Sequence, residues 1–313
     1  MLFPIKFAMK PIIDAIDKEI LKSELNADRF VRTTRKGGNE IYVVNQHNSP
    51  NVLQEIGRLR EVTFRQSGGG TGQSVDLDEY DTNDHCYEQL ILWSPDDEEI
   101  IGGYRFIRCD KAIDKLGKIH LSTSHYFEFS THFTRDYLPY TIELGRSWIQ
   151  PNFQATTNPK KGLFALDNIW DGLGAITIMN PDIKYFFGKV TMYPTYNIEC
   201  RDFLLHFMHH YFPDREHLMK PFNPLIQHYD KDKFDQQLNG LDFKEGMKIL
   251  NTYVREFGEF IPPLVNIYMH LSPTMKTFGT AVNPDFGNVE ETGILITISD
   301  IFEEKKERHM VYK

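Results

Sequence analysis

Residues 140–150 read YTIELGRSWIQ and predict the strand around which we expect the fold to be organised. Apolar and polar side chains alternate through its first half, which is the pattern of a half-buried β-strand. Glu143 and Arg146 would lie mid-strand in apolar surroundings, where charges are costly unless they meet partners or a ligand. Gly145 between them indicates a bulge, or a place where a ligand approaches the backbone. A structural ion pair that closes the strand end would explain the same residues equally well.

The composition indicates a globular protein of the cytoplasm. The chain has 313 residues, enough for one large or two small domains, and 41% of them are hydrophobic. Its formal net charge of −9 argues against nucleic acid as a partner, because non-specific binding of nucleic acid needs a basic surface. Three scattered cysteines, Cys86, Cys109 and Cys200, form neither a disulfide framework nor a zinc pattern, which fits a reducing compartment.

The N-terminal segment MLFPIKFAMKPIIDAI is apolar, but it lacks the uninterrupted core and the cleavage site of a signal peptide. No apolar run approaches the roughly 18 residues that a membrane span needs. The segment is suited to dip into a membrane surface, although such segments more often pack on their own domain. Its apolar side chains are Leu2, Phe3, Ile5, Phe7 and Met9. We therefore expect a cytoplasmic protein that is at most peripheral to the inner membrane.

Hydrophobic periodicity divides the chain into three parts. We predict a helical extension over residues 1–39 with a helix at 11–29, a main domain over 40–302 and a charged tail over 303–313. In the main domain we predict helices at 52–64, 163–178 and 198–211 and strands at 41–44, 87–93, 100–109, 140–150 and 185–192. Residues 213–245 are charged and indicate an insertion with one short helix. The order of elements favours an α+β (mixed α/β) fold, with a sheet flanked by helices.

A metal site is not expected from the sequence. His206 and His210 lie one helical turn apart, as two ligands of a metal ion would. No carboxylate motif of the HExxH type accompanies them, so we predict no bound metal.

Polar residues at unusual strand positions form an ordered series. The series is Arg60-x3-Phe64, Asp76-x-Asp78-x2-Asp81, Arg105 and Glu143-x2-Arg146. It resembles the acyl-homoserine-lactone synthases and the long-chain N-acyl amino acid synthases, two branches of the GNAT-like acyltransferase fold. The later segments IPPLVNIY (261–268) and NPDFG (283–287) resemble, more narrowly, the hemolysin-like N-acyltransferases that make ornithine and glycine lipids. The resemblance covers about residues 40–300 and implies a central, mostly antiparallel twisted sheet.

The resemblance also implies an activity. It points to transfer of a long fatty acyl group, with or without a 3-hydroxyl, to the α-amine of glycine or ornithine. The usual GNAT pyrophosphate signature is not matched by NPKKGLF (158–164), which disfavours acyl-coenzyme A as donor. We therefore expect acyl carrier protein as partner, its acyl-phosphopantetheine thioester as co-substrate and no bound cofactor. The alternatives are a non-catalytic protein that binds lipid or acyl carrier protein, and a synthase of the homoserine-lactone type.

Each residue of the series has a role that this chemistry requires. N-acylation needs a neutral amine close to the thioester carbonyl and hydrogen-bond donors aimed at the developing oxyanion. We expect Glu143 to accept the amine proton, directly or through a water, and to act as a unit with Arg146. Backbone N–H groups beside Gly145 are the expected oxyanion donors. The residues expected to shape the substrate pocket are Arg60, Phe64, Asp76, Asp78, Asp81, Arg105 and Trp148.

The donor needs its own contacts. We expect Lys160, Lys161 and the helix start at Gly162 to hold the phosphopantetheine phosphate. Because both this protein and a carrier protein are acidic, docking requires a local basic patch, for which Lys184 or Lys189 would join the lysine pair.

Overall fold

The structure is a computed structural model that describes residues 9–162, 164–227 and 229–310. The strands are β1 (Phe30–Thr33), β2 (Glu40–Val44), β3 (Glu88–Ser94), β4 (Glu99–Arg108), β5 (Phe127–Phe129), β6 (Thr141–Ile149), β7 (Tyr185–Met192), β8 (Met219–Pro221), β9 (Lys276–Asn283) and β10 (Val289–Thr297). The helices are α1 (Lys18–Glu24), α2 (Pro50–Gln66), α3 (Glu79–Thr82), α4 (Pro159–Gly162), α5 (Ala165–Met179), α6 (Ile198–Tyr211), α7 (Lys231–Leu238), α8 (Phe243–Glu256), α9 (Pro263–Met269) and α10 (Glu303–His309).

Eight strands form one sheet in the order β1-β2-β3-β4-β6-β7-β10-β9, and β5 pairs with β8 in a small second sheet. Among the described strands of the large sheet, β6 and β7 alone run parallel; the other neighbours are antiparallel. The parallel pairing runs from Thr141 opposite Tyr185 to Leu144 opposite Gly188 and is not continued beyond that pair. Both strands continue for several residues, with β6 held by β4 and β7 held by β10. The centre of the sheet is therefore open between β6 and β7.

Helices cover both faces of the sheet, and the alternation of side chains along each strand fills both cores. On β3, Leu90 and Leu92 point into a core with α5 and α6, whereas Ile91 and Trp93 point into a core with α2. A third cluster forms around Phe187, where the segment between β4 and β6 covers the sheet. This mixed, mostly antiparallel architecture confirms the predicted fold class.

Most of the predicted elements are present within a residue or two, but the N-terminal prediction is wrong. The helix expected at 11–29 is reduced to α1, which begins after its N-cap Asp17. The residues before it are bonded to the glycine-rich stretch 67–74, where the backbone N–H groups of Lys10 and Ile13 donate to the carbonyl groups of Gly72 and Ser74. The boundary at residue 39 is also wrong, since β1 pairs with β2 in the main sheet.

The C-terminal half differs from the expectation as well. Residues 303–309 are helix α10 rather than a solvated tail, and His309 is buried with Nδ1 3.0 Å from Asp171 Oδ1. The segment 213–245 contains β8, α7 and the beginning of α8. Strand β9 is an addition that the periodicity did not predict.

No helix of the described residues is long and apolar enough to cross a membrane. Leu2, Phe3, Ile5 and Phe7, on which the expectation of membrane contact rests, lie outside the described residues.

Candidate active site

A bulge in β6 marks the point at which the sheet opens. Gly103 pairs with Trp148 and Arg105 with Gly145, so that Arg146 and Ser147 together oppose Tyr104. One extra residue on one strand is the definition of a β-bulge. Arg146 has φ +51°, a left-handed conformation that costs free energy for a residue other than glycine and tends to occur at functional sites. The bulge predicted beside Gly145 is confirmed.

A cavity of about 270 Å³ occupies the opening. Its walls come from both faces of the sheet, because Phe186 and Lys189, which point to opposite faces of β7, both contribute. The cavity therefore passes through the sheet between β6 and β7. One end is polar, with Arg105, Arg146, Ser122, Lys189 and Glu291. The other end is apolar, with Ile169, Trp170, Leu173, Phe186, Leu264, Ile294 and Ile296.

Three arginines and three aspartates form an ion-pair network at the polar end. Arg60, fully buried on α2, donates to Asp76 Oδ2 from Nε at 3.0 Å and to Asp81 Oδ1 from Nη1 at 3.1 Å. Arg105 Nη1 donates to Asp78 at 2.6 Å and to Asp81 at 3.0 Å. The structure thus brings together five residues that the sequence places on three separate segments.

Arg146 completes this network from the bulge. Its Nε lies 3.1 Å from Asp76 Oδ2, and its guanidinium group stacks 4.4 Å from the centre of the Phe286 ring. Burial alone would raise the pKa of Asp76, but Arg146 and Arg60 outweigh burial and hold that pKa below its usual value. Asp76 is therefore ionised, and it holds Arg146 at the cavity wall.

Glu143 is fully buried beside the cavity and does not contact Arg146. Its Oε1 accepts hydrogen bonds from Tyr87 Oη at 2.9 Å and Ser122 Oγ at 2.5 Å, and its Oε2 accepts from Thr123 Oγ1 at 2.5 Å. Glu143 does not line the described cavity, but Ser122 does. The structural ion pair that the sequence allowed between Glu143 and Arg146 is therefore not formed, their joint action in catalysis stays a prediction, and Ser122 connects Glu143 to the cavity.

Lys189 and Glu291 form a second charged pair in the cavity wall. Lys189 Nζ lies 2.5 Å from Glu291 Oε2 and 4.1 Å from the centre of the Tyr126 ring. Burial lowers the pKa of the Lys189 ammonium group, although Glu291 opposes that shift. Lys189 is thus unsuited to a surface patch for carrier protein, which corrects that expectation; Lys184, in contrast, is exposed beside Tyr140.

Of the remaining predicted site residues, only some line the cavity. Phe64 lines the cavity and packs edge-on against Phe286 at 5.1 Å between ring centres. Trp148 is buried in the core against α2 and is not among the described residues that line the cavity, which corrects its expected contact with substrate. Lys160, Lys161 and Gly162 lie on α4 and also do not border the cavity. Lys161 pairs with Asp97 and lies over the Phe153 ring.

Sequence reasoning did not assign Ser122, Lys189 or Glu291 to the substrate site, although it named Lys189 for the docking patch. Lys189 and Glu291 each interrupt an apolar strand, a signal that was available from YFFGKVTM and VEETGILIT. Ser122 lies on a short 3₁₀ turn, where serine is common, so no local signal distinguishes it.

The apolar end of the cavity contains one polar group without a partner. Tyr104 lines the cavity, is 4% exposed, and its hydroxyl has no hydrogen-bond partner among the described residues. A buried hydroxyl that lacks a partner costs free energy, which a ligand hydroxyl would recover.

Known proteins resemble the chain along most of its length. Residues 59–161 match the model of the acetyltransferase (GNAT) domain. The chain is 54% identical over 307 residues to a glycine N(alpha)-acyltransferase of Bacteroides thetaiotaomicron, covering 96% of this chain and 90% of that protein. It is 53% identical over 303 residues to a glycine N(alpha)-acyltransferase of Phocaeicola vulgatus, covering 96% of this chain and 93% of that protein.

No solved structure matches the chain significantly. The GNAT match covers the segment from α2 to α4, which includes the bulge and the ion-pair network. With relatives of this identity over nearly its whole length, the chain belongs to the GNAT-type N-acyltransferases and is an amino-acid N-acyltransferase.

Proposed function

We propose that this enzyme transfers a long fatty acyl group from an acyl carrier protein thioester to the α-amine of glycine. The observation that carries the proposal is the cavity through the sheet, which is polar and charged at one end and apolar at the other. A zwitterionic acceptor suits the first end and an alkyl chain the second. The two relatives named glycine N(alpha)-acyltransferases support glycine over ornithine.

The reaction joins the two substrates at the gap between β6 and β7. The amine nitrogen forms a bond to the thioester carbonyl carbon, and the carbon–sulfur bond breaks. The ammonium group of glycine loses two protons in all: one to produce the neutral nucleophile and one as the amide forms. One of these protons ends on the departing sulfur, which leaves as the thiol, and the other passes to a base and then to solvent. Backbone N–H groups at the bulge, beside Gly145, are the proposed donors to the oxyanion.

The base in this proposal is Glu143, acting through Ser122. Ser122 borders the cavity and donates to Glu143 Oε1, so it passes its proton to Glu143 as it accepts one from the amine. Tyr87 donates to the same oxygen as Ser122 and Thr123 donates to the other oxygen, so the two residues hold the carboxylate in place. The sequence analysis left open whether a water carries the proton from the amine to Glu143. In this proposal the Ser122 hydroxyl takes the place of that water.

The acceptor carboxylate is proposed to bind the arginines of the cavity wall. Arg105 Nε is buried and has no partner among the described residues, whereas its Nη1 is held by Asp78 and Asp81. Gly145 leaves room there, since a Cβ added at that position would come 3.6 Å from this Nε. Arg146 borders the same space. Glycine has no side chain, so among the amino acids it needs the least space beside these arginines.

The donor is proposed to approach with its phosphopantetheine near α4, where Lys160 and Lys161 supply positive charge. Its acyl chain then extends between α5 and the sheet. The Tyr104 hydroxyl is positioned to accept or donate a hydrogen bond to a hydroxyl on that chain, which supports 3-hydroxyacyl donors.

A reconstituted assay tests the proposal. Purified enzyme is given glycine and matched acyl donors on carrier protein or coenzyme A, and N-acylglycine is measured by mass spectrometry beside release of free thiol. We expect product from the carrier thioester, with Tyr104→Phe reducing the preference for a 3-hydroxyacyl donor over its unsubstituted analogue. Absence of N-acylglycine with both donors would overturn the proposal.

The base is tested separately. Ser122→Ala and Glu143→Gln should each lower kcat by about 10²–10⁴-fold, the usual range for general base catalysis, without loss of fold. Ser124→Ala is the matched control, because Ser124 lies on the same 3₁₀ turn but donates to the backbone carbonyl of Leu121. Near-normal kcat in both variants, with unchanged melting temperature, would remove Glu143 from the mechanism.

A further inference from the structure

A cluster of three metal-ligating side chains lies outside the cavity, between α6 and α7. His206 and His210 lie one turn apart on α6, and Asp235 faces them from α7. One ligand atom from each of the three side chains lies within 4.8 Å of the others. None of the three is among the described residues that line the active-site cavity.

His206 has an unpartnered nitrogen directed at this cluster. The residue is 6% exposed, and its Nε2 has no hydrogen-bond partner among the described residues. Asp235 Oδ1 lies 3.0 Å from that nitrogen, but the two are not aligned as a hydrogen bond. Two ligands of a tetrahedral zinc ion, each about 2.0–2.1 Å from the metal, lie about 3.3 Å apart, so the observed separation suits two ligands of one ion.

A second contact is compatible with the tautomer that a metal needs. His206 Nδ1 lies 3.2 Å from the hydroxyl of Tyr229. When Nδ1 carries the proton and donates to Tyr229, the lone pair is left on Nε2, on the side of His210 and Asp235. Metal-bound histidines regularly donate their other nitrogen in this way, which orients the ring and strengthens the ligand.

We propose that His206, His210 and Asp235 bind a Zn²⁺ ion, with water as the fourth ligand. Two imidazoles and a carboxylate form a donor set that zinc commonly takes, and the outer two side chains are open enough for an ion to enter. The ion ties α7, which belongs to the segment 213–245, to α6. The sequence alone did not predict the site, because Asp235 is far from the histidine pair along the chain and no short motif joins them.

Zinc binding to the full chain, without a histidine tag, tests this inference. The protein is stripped with a chelator, and Zn²⁺ is then added in competition with a chromophoric chelator. We expect one Zn²⁺ per chain and a melting temperature that rises by several degrees with the metal, because a ligand that binds only the folded state stabilises it. His210→Ala and Asp235→Asn should each weaken Zn²⁺ binding at least tenfold and abolish the thermal shift.

The choice of variants keeps the result interpretable. His210 and Asp235 are the more exposed members of the cluster, so their replacement leaves the core intact, whereas His206 packs against Phe234. Tyr229→Phe should weaken Zn²⁺ binding about tenfold, because it removes the acceptor that keeps the proton of His206 on Nδ1. His217→Asn, which removes an exposed histidine elsewhere, should change nothing. Zinc binding that is absent from the wild type, or equal in the wild type, His210→Ala and Asp235→Asn, would overturn the proposal.

Discussion

Replacing Asp81 with asparagine tests whether the buried ion-pair network is built as described. Asp81 is fully buried and accepts five hydrogen bonds. Two come from Arg60 at 3.1 and 3.3 Å, one from Arg105 at 3.0 Å, one from Gln89 Nε2 at 2.9 Å and one from the Asp78 N–H at 3.1 Å. Each carboxylate oxygen faces at least two donors, one of them a guanidinium group. The amide nitrogen of asparagine therefore meets donors in either orientation.

The expected loss of folding free energy follows from the ion-pair partner that each arginine keeps in the variant. Breaking a buried ion pair by removing one partner costs about 3–5 kcal/mol of folding free energy. Arg60 keeps Asp76 at 3.0 Å and Arg105 keeps Asp78 at 2.6 Å, so we expect the lower end, about 3 kcal/mol. An unfolding entropy of roughly 2.1 cal/mol/K per residue, for 313 residues, converts this into a fall in melting temperature of about 5 °C.

The dependence on pH gives a second, independent signature. Burial would raise the pKa of Asp81, but Arg60 and Arg105 outweigh it and place the pKa far below the ordinary value of about 3.9. For a carboxyl group with a depressed folded pKa, the stabilisation is complete above the unfolded pKa and is lost as the pH falls toward the folded pKa. The difference in unfolding free energy between wild type and Asp81→Asn should therefore be constant near neutral pH and shrink below about pH 4.

Urea unfolding followed by circular dichroism, at several pH values, measures both quantities. Asp78→Asn is the matched control: its side chain is 32% exposed, and asparagine can still cap α3 through the N–H of Tyr80. We expect that control to cost about 1 kcal/mol or less. A loss below about 1 kcal/mol for Asp81→Asn, or a difference that does not change with pH, would refute this description of the network.

Two predictions concern the substrates. Arg105→Lys keeps the charge but loses the planar guanidinium group, so kcat/KM for glycine should fall by roughly 1–3 kcal/mol of transition-state binding. Wild type should discriminate glycine from glycinamide and the variant should not; discrimination that survives would make Arg105 a brace for the aspartates. Reversing the charge of Lys160 and Lys161 should raise KM for the carrier thioester, and added salt should weaken wild-type binding. Activity with acyl-coenzyme A that equals the carrier reaction and ignores salt would contradict that docking surface.

Local pattern was sufficient for the elements around the site. The alternation in residues 140–150 and the glycine at 145 predicted a bulged strand, and β6 has its bulge at the next residue, Arg146. The series from Arg60 to Arg146 predicted residues that meet, because a charge on an apolar face is tolerated only with a partner. Arg60, Asp76, Asp81 and Arg105 do meet in the core. These predictions depend on residue spacing and on the cost of desolvating charges, both of which can be read from the sequence alone.

The tertiary structure decided which side chains contact one another at the site. Glu143 and Arg146 are three residues apart, which in a regular strand would point them to opposite faces. Across the bulge Arg146 meets Asp76, whereas Glu143 meets the hydroxyl of Tyr87, just before β3, and that of Ser122 on a distant turn. Lys189 and Glu291 come together only because β7 and β10 are neighbours in the sheet. The opening between β6 and β7, with the cavity that passes through it, exists because parallel pairing ends at Leu144. Such contacts depend on strand order and register, which are set by how the whole core packs rather than by any local stretch of residues.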